Sequence, residues 1–442
     1  MRDKISSWLQ RTTSFVVLVI CFLSFTTVAE GQGQRAVLAN GLTVLIKENH
    51  TLPIVTTMLF YKFGSRNEPL GDSGRAHMTE HMMFKGSRQY GKGEMDAIVR
   101  KAGGWLDAKI TMDFTSYSIN LPAKEWTTAL AIEADRLRDC NFEPTAFEAE
   151  KKVVVEEGKM RLDLPFVVFK DKLKQVACQG QPYSNLLFGH LEDVAAFSLT
   201  SVKKFYDLYY QPNNAVLVVV GDIQSSKALR QITKFFGPIP RGPTPPPITN
   251  KNWEQKQSRK LESRADVPYS IIEITFQAPA CRSQDGYAMR LLNHVLTNGK
   301  CSLLNKKLVI EQPYFHEVFS DYPETMAPYL IFVAAELKTG VKRTKAEQIL
   351  LQELENLKTV PLADQEIEQA KNQIEAEFVF LQENIQSQAN FIGQSELLSA
   401  SADPSHYLQG IEAVTSQDIQ RVAQKYFINQ RRTIGWLLPD SE

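Results

Sequence analysis

Apolar and polar positions divide this chain into short alternating strands and amphipathic helices. Leu38-Ala39-Asn40-Gly41-Leu42-Thr43-Val44-Leu45-Ile46 sets Asn-Gly between apolar alternations, which predicts a hairpin turn. Residues 54–63 are rich in β-branched and aromatic side chains and predict a strand. Gly64, Gly71 and Gly74 then break the chain before a helix that carries His77 and His81. A second helix over about 93–101 stops at Gly103-Gly104. Residues 107–121 alternate, with Ala108, Ile110, Met112 and Phe114 on one face, and predict one strand. Helices are expected over 126–138 and from Pro144 onward.

The proline-dense run from Gly237 to Pro247 cannot supply a sheet with backbone donors and predicts a semi-rigid spacer. It defines a first domain over 30–236, a linker over 237–252 and a second domain over 253–442. The halves echo each other. Leu199-Thr200-Ser201 leads through a helical stretch to Tyr209-Tyr210, Asn213-Asn214 and a strand from Ala215, closed by Gly221-Asp222. Val414-Thr415-Ser416 leads likewise to Tyr426-Phe427, Asn429 and a strand from Thr433, closed by Pro439-Asp440. This repeat predicts duplication of one α+β module.

Composition changes that picture little. The 442 residues suffice for two or three domains with substantial cores. Lys+Arg and Asp+Glu balance at 50 each, which removes the bulk field that would favour nucleic acid. Residues 1–29 read as a signal peptide: Arg2, Lys4 and Arg11 precede an apolar run from Phe15 to Phe25, and Thr27-Val28-Ala29 offers a cleavage site. An uncleaved inner-membrane anchor is the alternative, and no other segment is long and apolar enough to span a bilayer. Cys140, Cys178, Cys281 and Cys301 lack C-x-x-C spacing and are expected as four isolated, buried thiols.

The chemistry gathers at His77-Met78-Thr79-Glu80-His81. On a helix, imidazoles at i and i+4 share a face and can reach one ion, with Glu80 near a water on that ion. This H-x-x-E-H run is the inverted form of the H-E-x-x-H zinc motif. A catalytic zinc needs a third protein ligand, and Glu150 through Glu157 is the best source. Glu150 and Glu157 lie two turns apart on one partly apolar face, where a carboxylate needs a cation. Glu156 points about 100° away.

With these strings the chain resembles the pitrilysin/insulinase (M16-type) zinc peptidases, in the branch of mitochondrial processing peptidase and its bacterial relatives. The resemblance rests on Asn40 through Val44, Gly64 through Glu68, His77 through Gly86, Tyr90 through Glu94, Gly103-Gly104, Asp113 through Tyr117, Asn120 through Pro122, Glu150 through Glu157, Gln211 through Ala215 and Val218 through Asp222. It covers about 36–440 and is stronger in the first half. It implies an α+β fold of two duplicated α/β sandwich domains, each an antiparallel-rich sheet with helices. It also implies one Zn2+ per chain held by His77, His81 and Glu157, Glu80 as the catalytic base, and Glu150 supporting the site without binding metal. Glu-assisted attack of zinc-bound water on a peptide carbonyl follows from that assignment. The strand over 107–121 resembles the family's edge strand, on which an extended peptide substrate adds; Asp107-Ala108 stands there in place of Asn-Ala. With the export signal, the bacterial branch implies a periplasmic enzyme.

One departure stands out. Active members bring an arginine and a tyrosine from the second half to hold the substrate and its oxyanion. Here Lys300-Cys301-Ser302-Leu303-Leu304 puts Leu303 at the arginine position, and His316 falls near the tyrosine position. Lys306, Lys307 and Tyr314 are the candidate substitutes. The resemblance therefore implies the zinc-bearing subunit of a heterodimer, completed by a homologous zinc-free partner subunit. A non-catalytic, peptide-holding subunit and a self-sufficient homodimeric peptidase are the alternatives.

Overall fold

A computed structural model describes residues 33–441 apart from 71, 249–252, 254 and 399–403. The signal-peptide reading, and the last residues of the linker, lie outside the described residues. Two sheets carry the architecture. The first contains β1 (Gln34–Val37), β2 (Thr43–Glu48), β3 (Ile54–Tyr61), β4 (Trp105–Ile110), β5 (Thr115–Pro122) and β6 (Ala215–Gly221). Their spatial order is β1-β2-β6-β3-β5-β4, antiparallel except for the parallel β2/β6 pair. The second contains β7 (Arg259–Ala265), β8 (Ile271–Ala278), β9 (Phe315–Asp321), β10 (Tyr329–Leu337) and β11 (Arg432–Pro439). Their order is β7-β11-β8-β10-β9, again with one parallel pair, β7/β11. Aligning β7 with β2 and β11 with β6 makes the second order repeat the first from β2 onward. The duplication read from the helix-turn-strand echo therefore extends through the whole sheet.

Local chemistry explains the central elements. Strand β6 is Ala-Val-Leu-Val-Val-Val-Gly and buried throughout, as a strand covered on both faces must be. At the β1–β2 turn Gly41 takes φ +91, and the Asn40 amide donates to the carbonyls of Phe236 and Ile239. That ties the predicted hairpin to the end of the first half.

The single strand expected over 107–121 is instead the hairpin β4–β5. Thr111 Oγ1 accepts from the backbone N–H groups of Asp113 and Phe114, and Arg66 pairs with buried Asp113 at 2.9 Å. The apolar positions are even-numbered through Phe114 and odd-numbered from Tyr117, so the alternation slips phase at the turn, where Ile110 pairs with Thr115. The face expected to be shared is split: Ala108 and Ile110 pack toward the first-half helices, Phe114 on the opposite side of the sheet. Strand β4 closes one edge of the sheet. The cysteines also depart from expectation. All four are free, but only Cys178 and Cys281 are buried; Cys140 is half-buried, and Cys301, in a turn, is exposed.

Five α-helices of the first half fall between β3 and Cys178: α1 (Arg75–Met82), α2 (Glu94–Lys101), α3 (Thr127–Asp139), α4 (Pro144–Leu162) and α5 (Pro165–Ala177). One face of the first sheet, with Val44, Leu59, Tyr61, Leu217 and Val219, packs with α1, α3 and the helices at 199–209 and 225–236. The opposite face, with Leu45, Met58, Phe60, Val216, Val218 and Val220, is covered by the second-half helix Ile385–Leu398 through Ala389 and Ile392. The exchange is mutual, because Phe169 and Leu173 of α5 pack on Leu437 of β11 in the second sheet. The sheets fall on either side of the Pro-rich stretch; their covering helices do not.

Candidate metal centre

Helix α1 starts at Gly74, whose φ of +107 suits only glycine. The carboxylate of buried Glu68 accepts from the N–H groups of Gly74 (2.9 Å) and Ala76 (2.6 Å), occupying two of the helix's unpaired donors. This fixes the helix that presents His77 and His81. Helix α4 begins with proline at its first turn and buries Phe147, Glu150 and Val154 at three- and four-residue intervals. That stripe lays α4 along α1 and carries Glu157 to the same place.

His77, His81 and Glu157 converge. The two Nε2 atoms lie 3.1 Å apart, and Glu157 Oε2 sits 3.7 Å from His77 Nε2 and 3.4 Å from His81 Nε2. Nitrogen and oxygen ligands about 2.1 Å from a tetrahedral zinc are separated by about 3.4 Å. The observed spacings bracket that value, so these three side chains fit one zinc ion with a fourth position left open. Among the described residues they form the cluster of His, Cys, Asp and Glu groups that could hold a metal.

The residues around them differentiate the two imidazoles. His81 Nδ1 lies 3.0 Å from Glu150 Oε1, and Lys85 Nζ holds Glu150 Oε2 at 2.6 Å. A carboxylate on Nδ1 turns Nε2 toward the metal and raises its basicity. Burial works against Glu150's charge, yet the bonds from His81 and Lys85 hold its carboxyl below the ordinary range. His81 is shifted upward: burial opposes its charge, but Glu150, Glu80 and Glu157 outweigh that. His77 is pushed down to about 3 by burial, with His81 and Arg161 adding repulsion, so its imidazole stands neutral, the form that can bind a metal. Its Nδ1 is buried without a hydrogen-bond partner. Glu80 is half-buried and pushed up to about 7, chiefly by desolvation, with Glu157 and Asp107 adding to the rise against His81 and Arg136. It makes no hydrogen bond or ion pair with the described residues. Glu156 is exposed and bonds Lys159 at 2.7 Å, away from the cluster.

Lys85 and Glu68 lie inside strings that carry the resemblance but were not read as site residues, and Phe188 and Arg161 lie outside those strings. Lys85 alone had a signal, standing four residues beyond His81 where Glu150 needs a cation. The second-half candidates stay apart from the cluster. Leu303 and Tyr314 pack against the second core, Lys307 is tied to Glu353 at 2.7 Å, and His316 of β9 meets the Tyr269 ring at a tilt, with centroids 4.4 Å apart. Lys306 lies 4.0 Å from Glu311. None of them makes a hydrogen bond, ion pair or ring contact with His77, Glu80, His81 or Glu157.

The chain thus combines a duplicated α+β fold with two histidines from an H-x-x-E-H helix and one glutamate from the neighbouring α4, the pattern of the inverted zinc motif. Residues 43–190 match the family model described as insulinase (Peptidase family M16), and 196–374 match that of the Peptidase M16 inactive domain. The chain belongs to the M16 peptidase family. The zinc protease PqqE of Helicobacter pylori is 28% identical over 419 residues, spanning 92% of this chain and 93% of that protein. The mitochondrial-processing peptidase subunit beta of Lentinula edodes is 25% identical over 405 residues, 88% of this chain and 86% of that protein. The crystal structure of a protease from Helicobacter pylori matches with TM-score 0.87 at 28% identity, covering 92% of this chain and all (100%) of that one.

Proposed function

We propose that this chain is the zinc-bearing subunit of a metalloendopeptidase that hydrolyses peptides or unfolded polypeptides. The observation that carries the reading is the convergence of His77 Nε2, His81 Nε2 and Glu157 Oε2 at 3.1–3.7 Å. A zinc ion there, one per chain, would acidify a water and polarise the scissile carbonyl. Glu80 would take a proton from that water and return it to the leaving amine. Glu150 orients His81 and does not bind the metal. The edge of β4 offers unpaired backbone groups along which an extended peptide adds as a further strand.

The seats of Leu303 and His316 support a shared site, in which a homologous zinc-free partner supplies the arginine and tyrosine. The name of the processing-peptidase relative, a subunit beta, agrees with work in pairs. The export signal over 1–29 makes the enzyme periplasmic, with domains over 30–236 and 253–442 joined by the linker 237–252. No helix among the described residues is long and apolar enough to cross a membrane. The same lost arginine and tyrosine favour the second reading, a non-catalytic peptide-holding subunit. Purified chain should bind one zinc yet cleave an unfolded polypeptide poorly, and a co-expressed homologous chain should restore cleavage. Full activity of the chain alone would refute the partner; restored activity that survives Glu80→Gln would refute the catalytic role.

A further inference from the structure

The two histidines are supported in different ways. His81 has a carboxylate on Nδ1, whereas His77 Nδ1 is buried without a hydrogen-bond partner. The His77 ring instead meets the Phe188 ring edge-on, with centroids 4.4 Å apart and planes at 74°. That is a favourable aromatic geometry. Phe188 is itself held, because the Arg161 guanidinium lies 4.0 Å from its ring centroid. Arg161 follows Glu157 by one turn of α4, so a single helix delivers a metal ligand and the cation that fixes the second ligand's neighbour.

The backbone bearing Phe188 is seated with equal care. Gly189 has φ +76, and a Cβ there would collide with the Ser73 carbonyl oxygen. Gly74, at the start of α1, has φ +107, and a Cβ there would lie 3.0 Å from both the Gly189 Cα and the Phe188 carbonyl oxygen. Two glycines thus let the 188–189 backbone dock against the first turn of α1, three residues before His77. The loop cannot approach so closely with any larger residue at either position.

We infer that Phe188, held by Arg161, is the positioning residue that orients His77 toward the metal, doing by ring packing what Glu150 does for His81 by hydrogen bonding. The inference rests on the proposed zinc site and concerns the chain's affinity for the ion. Phe188→Leu keeps apolar bulk and removes the flat ring. Phe188→Tyr keeps the ring beside the cavity of about 290 Å³ that Phe188 lines with Arg161, Gln175 and His190. Arg161→Met separates positioning from electrostatics. Removing a cation near a divalent-ion site strengthens binding by charge alone, whereas loss of the Phe188 clamp weakens it.

The test titrates full-length metal-free chain with Zn2+ against a chromophoric chelator and records the visible spectrum of the Co2+ form. Chelator-treated protein is melted in parallel to confirm folding. Phe188→Leu should bind Zn2+ about 10-fold more weakly, within the range found when a metal ligand loses its support, with an altered Co2+ spectrum. Phe188→Tyr should restore both, and Arg161→Met should weaken binding. Wild-type affinity and spectrum in Phe188→Leu, or tighter binding in Arg161→Met, would overturn the inference. Should Phe188→Leu not fold, Arg161→Met decides alone. A wild-type chain that binds no Zn2+ overturns the proposed zinc site and this inference with it.

Discussion

Glu273 offers a direct test of what burial in the second sheet does to stability. It lies on β8, fully buried, with Ala334 and Gly435 opposite it on the neighbouring strands. Neither carboxylate oxygen has a hydrogen-bond partner. Burial pushes its carboxyl up from 4.5 to about 7; Lys170 of α5 eases the rise, and Asp321 of β9 adds to it. The unfolded chain therefore releases this proton near pH 4.5, while the folded chain holds it until about pH 7. Stability falls as pH rises through that window and levels off above it. At about 1.4 kcal/mol for each pH unit, the loss is about 3 kcal/mol. Glu273→Gln cannot ionise and should lack this component. Guanidinium unfolding of metal-free protein, followed by tryptophan fluorescence at pH 5 and pH 8, measures it. The variant should exceed wild type by under about 1 kcal/mol at pH 5 and by about 3 kcal/mol at pH 8. Equal losses in both proteins between those pH values would refute the reasoning.

Three further outcomes test the centre. Glu157→Gln should lower Zn2+ affinity by more than about 100-fold, since it removes a ligand and not merely a support, as elemental analysis after dialysis would show. Glu80→Gln should retain zinc and lose about 10²–10⁴ of the peptidase activity of the partnered enzyme in a fluorogenic-peptide assay. Glu150→Gln should weaken Zn2+ binding about 10–100-fold, because Lys85 is left without its carboxylate and His81 with a weaker acceptor; isothermal titration reads the change.

What the sequence disclosed depended on range. His77, Glu80 and His81 lie within one helical turn or so, and their spacing alone placed them on one face. Glu157 is 76 positions beyond His81, and spacing could not choose between it and Glu150; the resemblance did. The structure gives the difference a physical basis: Glu150 reaches Nδ1 of His81, while Glu157 reaches Nε2 of both histidines. Phe188 was invisible because edge-to-face packing has no sequence signature. The β4–β5 reversal was legible only as a phase slip, with apolar positions even-numbered through Phe114 and odd-numbered from Tyr117, inside a run that otherwise alternates throughout. The repeat was legible at its helix-turn-strand ends, where tyrosines and asparagines recur, but the exchange of helices was not. An apolar face in a sequence says that something covers it, not which half supplies the cover.

That exchange bears on the centre itself. Helix α1 is fastened to the first sheet, while α4 runs through Asp163 and Leu164 into α5, which lies on the second. The seat of α5 is specific: a Cβ on Gly435 of β11 would lie 2.7 Å from the Phe169 ring and 2.8 Å from Leu173 Cδ1. Its counterpart repeats the device, since a Cβ on Gly393 of helix Ile385–Leu398 would collide with the Phe60 ring of β3. Each exchanged helix thus docks where a glycine admits an aromatic ring. His77 and His81 are consequently fixed by the first half, whereas the helix bearing Glu157 and Arg161 is continuous with one anchored on the second. Close packing transmits small displacements rather than absorbing them. Glu157 thus sits on a helix that is laid along α1 by Phe147 and Val154 and is also continuous with one docked on the second sheet, so the proposed ligand set lies beside a contact between the two halves.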